Sequence, residues 1–197
     1  MSDLKFNQRH IRDFRSKLTG GGSRSNLFEV NIAYPSTEIA GTATDDGEFL
    51  IKAAEIPAAN LGNIPVPFRG RVLPVAGDRT FDPWTITVIN DTDFSIRDAM
   101  ERWSNFINDI QTNQGEANPE DYQKSATVKQ LGRGGTGAGD DIPVLRTYKF
   151  EGIYPTAVSS IPLDYGATDQ IQEFQVTFNY LFYEIVPTPP QAAFGVF

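Results

Sequence analysis

The chain has 197 residues and a formal charge of −8, from 17 lysines and arginines against 25 aspartates and glutamates. An acidic chain of this size argues against a protein that binds nucleic-acid phosphates tightly, but not against one that nucleic acid merely passes. The lack of cysteine excludes disulfides, thiolate catalysis and cysteine zinc sites, and the single histidine, His10, disfavours a multi-histidine metal centre.

The N-terminal segment, residues 1–26, is polar and ends in a run of adjacent glycines. It lacks the apolar core and cleavage site of a secretory signal. No window of the chain approaches the roughly eighteen apolar residues of a membrane span, so we expect no membrane anchor. Because glycine runs make flexible hinges, residues 1–26 are predicted to form an arm that orders against a partner, or else an ordinary frayed terminus.

The next segment predicts two strands separated by a long acidic loop. Phe28 to Tyr34 alternates apolar and polar residues, as does the run from Phe49 to Ala53. Residues 36–48 between them are rich in turn-forming residues and carry Asp45, Asp46 and Glu48. Asp45 and Asp46 could be imagined as metal ligands or an acid/base pair, like the later pair Asp140 and Asp141. Solvated loop charge is the better interpretation, since further ligands and burial are missing.

The stretch from Val66 to Ile110 is the most informative of the chain. It predicts a strand over residues 66–75 with a bulge or bend at Gly70, a turn at residues 76–78, and a strand over residues 84–88. Arg69 and Arg71, two apart in the first strand, should project to the same side, to pair across an interface, line a channel or simply face solvent.

A single strongly amphipathic helix is predicted over residues 95–111. Seven apolar residues fall on one stripe at helical spacing: Ile96, Ala99, Met100, Trp103, Phe106, Ile107 and Ile110. Ser95 is predicted to cap the first turn, with Asp98 three residues on. Trp84 and Trp103 are expected to be core residues, unless the domain presents aromatics on an open face as a lectin does.

The C-terminal half predicts further strands over residues 125–131, 144–152, 154–161 and 173–182, followed by a proline-rich tail, residues 187–197. Between the first two lies a glycine-rich insert in which Gly132, Gly134 and Gly137 match G-x-G-x-x-G. A dinucleotide-binding loop needs a helix directly after it, and here a strand follows, so a surface loop is favoured. The predicted fold class is mainly β, an antiparallel sandwich or barrel-forming sheet, with one flanking α-helix.

Two motifs carry a family resemblance. The run FRGRVLPVAGDRTFDPWTITVIND, followed by FSIRDAMERW, and the later run from Tyr148 to Glu184 resemble the tail tube protein of contractile-tailed bacteriophages. The resemblance implies a β-sandwich with a flanking helix over residues 27–186. It also implies six subunits per ring, each giving four strands to an inner barrel, and rings stacked into a tube.

The same resemblance implies the function and partners of the chain. The implied function is a structural role without catalysis, cofactor or metal, in a virion tail that is assembled in the host cytoplasm. Genomic DNA would pass through the lumen of the tube without specific binding. The implied protein partners are further copies of the chain, a contractile sheath, a baseplate and a tail terminator. Arg69, Arg71, Asp45, Asp46 and Glu48 are candidate inter-subunit or lumen positions, and an acidic lumen would repel DNA over about 8–10 Å.

Alternatives remain open from the sequence. One is a tube subunit of a non-viral contractile injection or secretion system, which the residues do not distinguish from a phage tube. Another, of a different class, is a monomeric β-sandwich module that binds carbohydrate. A hydrolase ranks last, because no catalytic constellation is visible.

Overall fold

The computed structural model describes residues 11–18, 22–133 and 142–187. Several sequence predictions lie outside these ranges: those on His10, on hinge residues 19–21, on Gly134, Gly137, Asp140 and Asp141, and on tail residues 188–197. The described strands are β1 Phe28–Ile32, β2 Ile51–Ala54, β3 Asn60–Phe68, β4 Arg71–Thr80, β5 Trp84–Ile89, β6 Lys124–Leu131, β7 Val144–Val158, β8 Glu173–Asn179 and β9 Phe182–Val186. The described helices are α1 Ile11–Lys17, α2 Thr37–Ala40, α3 Ala43–Leu50, α4 Ser95–Ile107 and α5 Pro119–Tyr122. None of them has both the length and the apolar character needed to cross a membrane.

Two antiparallel sheets share the long strand β7. The first half of β7 pairs with β6 and β9, and β6 pairs with β1; we call this group sheet A. The second half of β7 pairs with β8, which continues through β5 to β2; we call this group sheet B. Gly152 has a φ of 68° and lies where β7 passes from one sheet to the other. The expected mainly-β fold with one long flanking helix is therefore confirmed.

The core lies between the sheets because their strands alternate apolar and polar residues. In sheet B, Trp84, Ile86 and Val88 of β5 are buried beside their ladder partners in β8, which are buried too. Phe150 of sheet A packs onto Trp84. The expectation that both tryptophans are core residues is confirmed, and each buried indole donates its N–H to a backbone carbonyl, Trp84 to Glu55 and Trp103 to Tyr122.

Helix α4 closes one side of the sandwich with its apolar stripe. Ile96, Ala99, Met100 and Trp103 are buried as predicted. The prediction was wrong at the C-terminal end, since the helix ends at Ile107 and Ile110 is 89% exposed. The predicted cap was wrong too. Phe94 is the N-cap residue, the Ser95 hydroxyl has no hydrogen-bond partner among the described residues, and the carboxylate of Asp91 accepts the Ser95 N–H at 3.0 Å.

The prediction of a long acidic loop over residues 36–48 was also wrong, because this segment forms α2 and most of α3. Ser36 starts α2, where its hydroxyl oxygen accepts the Ile39 N–H at 3.3 Å. Ile39 and Ala43 are buried in the core, which stabilises two short helices of weak intrinsic propensity. Phe49, predicted in a strand, lies in the last turn of α3 and is exposed.

The single strand predicted over residues 66–75 is a β-hairpin. β3 and β4 pair with each other through a tight turn at Arg69 and Gly70, whose φ values are 46° and 80°. Two successive positive φ values are typical of a two-residue hairpin turn, which explains the glycine. The turn predicted at residues 76–78 was wrong, since these residues lie inside β4.

Strand boundaries in the C-terminal half differ from the prediction in two places. The runs predicted over residues 144–152 and 154–161 form one continuous strand, β7, because Gly152 bends the chain without ending it. The strand predicted over residues 173–182 is instead β8, which ends at Asn179 and belongs to sheet B. The next strand, β9, joins sheet A.

Candidate assembly site

The β3–β4 hairpin projects from the sandwich and exposes apolar residues to solvent. A hydrogen bond between the side chains of Asn60 and Asp82, 2.5 Å long, joins its root to the segment before β5. Beyond the root, every residue from Leu61 to Ala76 is exposed. An isolated two-stranded hairpin is only marginally stable in water, so this ribbon is expected to gain a partner surface.

The two faces of the hairpin differ. Alternation along the ladder puts Ile64 beside Val75 and Val66 beside Leu73 on one face, which we call the apolar face. The opposite face carries the pair Pro65 and Pro74. Because a proline cannot donate into a ladder, these prolines occupy positions whose amide would point away from the partner strand, and they protect both ribbon edges from further strand pairing. Side chains, and not an open strand edge, are therefore the surface that this hairpin offers.

Arg69 and Arg71 lie at the tip of the hairpin. Arg69 is a turn residue and Arg71 begins β4, so the two do not share one strand, and the prediction that they project together from it was wrong. The Arg69 guanidinium lies 5.4 Å from the ring centroid of Phe68. Arg71 is the ladder partner of Phe68. The tip therefore combines an exposed aromatic ring with two cations.

The acidic candidates lie elsewhere in the fold. Asp45, Asp46 and Glu48 belong to α3, with Asp45 and Asp46 in its first turn, where negative charge is favourable. Burial, and to a lesser extent the charge of Asp46, raises the pKa of Tyr34 above its ordinary value. The structure thus does not bring the five candidate residues together. The two arginines of the hairpin tip and the three acidic residues of α3 each stay a prediction for a separate contact.

The outer faces of the two sheets have different chemistry. On sheet B, Thr85, Thr87, Gln175 and Thr177 lie side by side, and the Thr85 and Thr177 hydroxyl oxygens are 3.3 Å apart. The ion pair between Lys52 and Glu173, 2.6 Å long, lies at one end of this sheet. This face consists mainly of short, neutral polar side chains.

Sheet A carries a charged outer face. Lys129 pairs with Glu29 across β6 and β1, and Lys149 pairs with Glu151 at 2.5 Å. The hydrogen bond that Lys149 donates to the Glu151 carboxylate, followed by the charges of Glu151 and Glu184, raises the pKa of Lys149 above its ordinary value. Exposed ion pairs of this kind contribute little to the stability of the subunit. The charged side chains therefore characterise the outer surface of sheet A more than they stabilise the fold.

Sequence reasoning missed the hairpin, although one signal for it was present. Arg69 and Gly70 stand between two runs of alternating residues, and a glycine in such a place is typical of a hairpin turn. Within the described ranges, no group of three or more acidic or histidine side chains could hold a metal ion.

Comparisons with known proteins find relatives over most of the chain. A family model described as phage tail tube protein matches residues 23–186. The tail tube protein gp19 of Enterobacteria phage T4 is 35% identical over 174 residues, covering 86% of this chain and 96% of the relative. The tail tube protein of Serratia phage KSP90 is 31% identical over 172 residues, with 86% and 93% covered.

Solved structures share the fold at lower identity. A chain of the PVC sheath–tube complex, an extracellular contractile injection system in its extended state, aligns with a TM-score of 0.54 and 17% identity, covering 88% of this chain and 97% of that one. A chain of the anti-feeding prophage baseplate aligns with a TM-score of 0.57 and 10% identity, covering 84% and 95%. The family match and the curated relatives together show that this chain belongs to the phage tail tube protein family.

Proposed function

We propose that this protein is the structural subunit of a contractile phage tail, whose copies form rings that stack into a hollow tube. The observation that carries the proposal is the exposed hairpin, whose apolar face, with Val66 and Leu73 at its centre, has no cover within the described part of the chain. Self-association would bury this face, since contiguous exposed apolar surface of this kind usually marks an interaction site.

Sheet B is the proposed wall of the lumen. The family resemblance implies four strands per subunit in a hexameric inner barrel, and sheet B offers four strands, β2, β5, β8 and the second half of β7. Its threonine-rich outer face supports passage of genomic DNA without specific binding. Lys52, the cation on this sheet, is already paired with Glu173, so phosphate contacts would be weak.

The charged outer face of sheet A is proposed to look away from the lumen, toward a contractile sheath. A baseplate and a tail terminator are the proposed partners at the two ends of the tube. The protein would be assembled in the host cytoplasm and would reside in the virion tail.

The N-terminal arm is a further proposed contact. Ile11, Phe14 and Leu18 of the α1 region are exposed apolar residues at helical spacing. Deleting residues 1–22 should impair tube growth more than subunit folding, as measured by electron microscopy and circular dichroism. Normal tube growth by the truncated chain would contradict this role.

The role requires no catalytic step, and we propose that the protein is not an enzyme. Its candidate acidic residues Asp45, Asp46 and Glu48 lie along helix α3, with Asp45 and Glu48 exposed to solvent.

Negative-stain electron microscopy of the purified protein at increasing concentration tests the proposal. Rings or hollow tubes are expected. A protein that stays monomeric at high concentration, even when a baseplate complex is added as initiator, would contradict the proposed function.

A tube subunit of a non-viral contractile injection system is the second candidate, favoured by the fold shared with the PVC tube complex. Genomic neighbourhood separates the two, because a phage tube gene lies among virion genes. The carbohydrate-binding alternative loses its two best stacking residues, since Trp84 and Trp103 are buried.

A further inference from the structure

A groove lies at the connection between β7 and β8, residues 159–172. Its volume is about 460 Å³, and its lining includes Ile161, Leu163, Asp164, Tyr165 and Ile171. Leu163 is 82% exposed. The Asp164 carboxylate accepts the Gly166 N–H at 2.8 Å, which orders the turn beside the groove. A connection of this length between neighbouring antiparallel strands is unusual, and long ordered loops of this kind often serve binding.

The groove and the hairpin root lie at opposite ends of sheet B. In the β5–β8 ladder, Trp84 pairs with Phe178 at one end and Ile89 pairs with Glu173 at the other. The hairpin leads into β5 just before Trp84, whereas the groove loop leads into β8 at Glu173. The hairpin thus leaves one end of the subunit, and the groove lies at the other end. This arrangement suits a head-to-tail contact between two copies of the chain.

The charges of the two surfaces are complementary. Residues 60–80 contain three arginines and one aspartate, a net charge of +2 in a chain whose total is −8. Residues 159–173 contain Asp164, Asp169 and Glu173 and no lysine or arginine. Within the described residues no salt bridge engages Asp164 or Asp169. Opposite charges on two surfaces of one chain favour association of separate copies in one orientation.

We propose that the hairpin tip of one copy, residues 68–71, docks in the groove of a second copy. Phe68 enters between the apolar side chains of the groove loop, and Arg71 approaches Asp164. This inference rests on the proposed function, and it names which two surfaces of the subunit meet.

The chemistry of the tip suits such a contact. Aromatic and arginine side chains dominate the energy of protein interfaces when they enter desolvated pockets. Phe68 is 67% exposed in the single chain, so docking removes most of its ring from water. Because the two surfaces differ, the contact is heterologous and each added copy presents a new free tip and a new free groove. A contact of this type extends a polymer along one direction, as stacking of rings requires.

Cysteine cross-linking tests the docking, because the chain has no cysteine of its own. In a V72C/A167C variant, one thiol lies next to the hairpin tip and the other in the groove lining, and Phe68, Arg71 and Asp164 stay intact. Treating tubes with a short bis-maleimide should give a ladder of covalent dimers, trimers and larger species on a denaturing gel. The matched control, V72C/Q111C, has its second thiol in the exposed turn after α4 and should give no ladder.

Tubes of V72C/A167C that give no ladder, or an equal ladder from the control, would overturn the docking while leaving the proposed function intact. A wild-type protein that forms no tubes contradicts the proposed function instead. If the cysteine variant does not polymerise, an exchange of charges between Arg71 and Asp164 tests the docking instead.

In the charge exchange, Arg71→Glu should raise the concentration needed for tube formation by about tenfold, and adding Asp164→Lys should restore it. Asp164→Asn keeps the acceptor for Gly166 and controls for loss of the loop turn. An Arg71→Glu variant that polymerises like wild type, or a double variant without recovery, would overturn the docking.

Discussion

Trp84 of β5 stacks on Phe150 of β7, with ring centroids 4.5 Å apart and an angle of 23° between the ring planes. The contact joins sheet B to sheet A through the centre of the sandwich. Trp84 also donates its indole N–H to the Glu55 carbonyl, 2.9 Å away, on the segment that leads to the hairpin. The core that holds the two sheets together therefore also fixes the root of the proposed assembly element.

Phe150→Ala should destabilise the subunit strongly. The ring is fully buried and contacts Trp84, Tyr180 and Tyr183, so its removal leaves a cavity that these rings cannot fill. A loss of about 3–5 kcal/mol in the free energy of unfolding is expected in urea titrations. Phe106→Ala, at a partly exposed position of α4, is the control and should cost about 0.5 kcal/mol. Equal losses for the two variants would contradict this account of the core.

The sequence predicted the elements whose burial pattern is local. β5, β8 and the first three turns of α4 alternate apolar and polar residues at the period of their structure, so their type and buried faces were predictable. The acidic segment before β2 was misinterpreted because its helices depend on tertiary contacts of Ile39 and Ala43, which no local period displays.

The assembly surfaces were harder to predict. One strand was predicted over residues 66–75, whereas this segment belongs to a two-stranded ribbon in which Pro65 and Pro74 lie opposite each other. Arg69 and Arg71 were found as candidates, but their placement at a turn was missed because the glycine between them was interpreted as a bulge or bend within one strand. The groove beside Asp164 arises from the three-dimensional course of a loop, which periodicity does not determine.

Gly152→Ala should destabilise the fold through the backbone. The φ of 68° at this bend of β7 is costly for any residue with a Cβ atom, and an added Cβ would lie 2.7 Å from the Leu181 side chain. We expect a loss of about 1–2 kcal/mol. Leu181→Ala in the same chain should recover little of it, since the side-chain clash can relax but the backbone strain cannot.

Gly166→Ala is the matched control for this substitution, because Gly166 is an exposed loop glycine without a positive φ. Thermal unfolding of the single and double variants measures the comparison. Full recovery by Leu181→Ala would show that crowding, and not the backbone, accounts for the loss.

Subunit stability should fall at alkaline pH because of Tyr34. Burial, followed by the charge of Asp46, raises the folded-state pKa of this phenol above its ordinary value of 10.0. The unfolded chain then releases its proton first, so the stabilising effect of the neutral phenol is present below that value and is lost as pH rises toward the folded-state pKa.

Tyr34→Phe removes this titration while keeping the ring, which packs 5.7 Å from Trp103 between centroids. Urea unfolding between about pH 9 and pH 11 should show a shallower loss of stability in the variant than in the wild type. Identical pH profiles would mean that Tyr34 ionises in the folded chain as it does in water.

Polar substitution of the hairpin's apolar face should abolish assembly while leaving the subunit folded. V66T/L73T replaces a cross-strand apolar pair with threonines, which keep the β propensity of the ribbon. Both side chains are exposed in the single chain, so the melting temperature should hardly change. If the face is buried between copies, each lost apolar contact costs about 1–2 kcal/mol, and the concentration needed for tubes should rise at least about tenfold.

V72T/A76T is the control, since it also introduces two threonines, on the opposite face of the same ribbon. Sedimentation and negative-stain microscopy across a concentration series compare the two variants with the wild type. Loss of tubes only in V66T/L73T assigns the contact to the apolar face. Equal loss in both variants would instead point to the hairpin's rigidity, and normal tubes from V66T/L73T would remove this face from the assembly altogether.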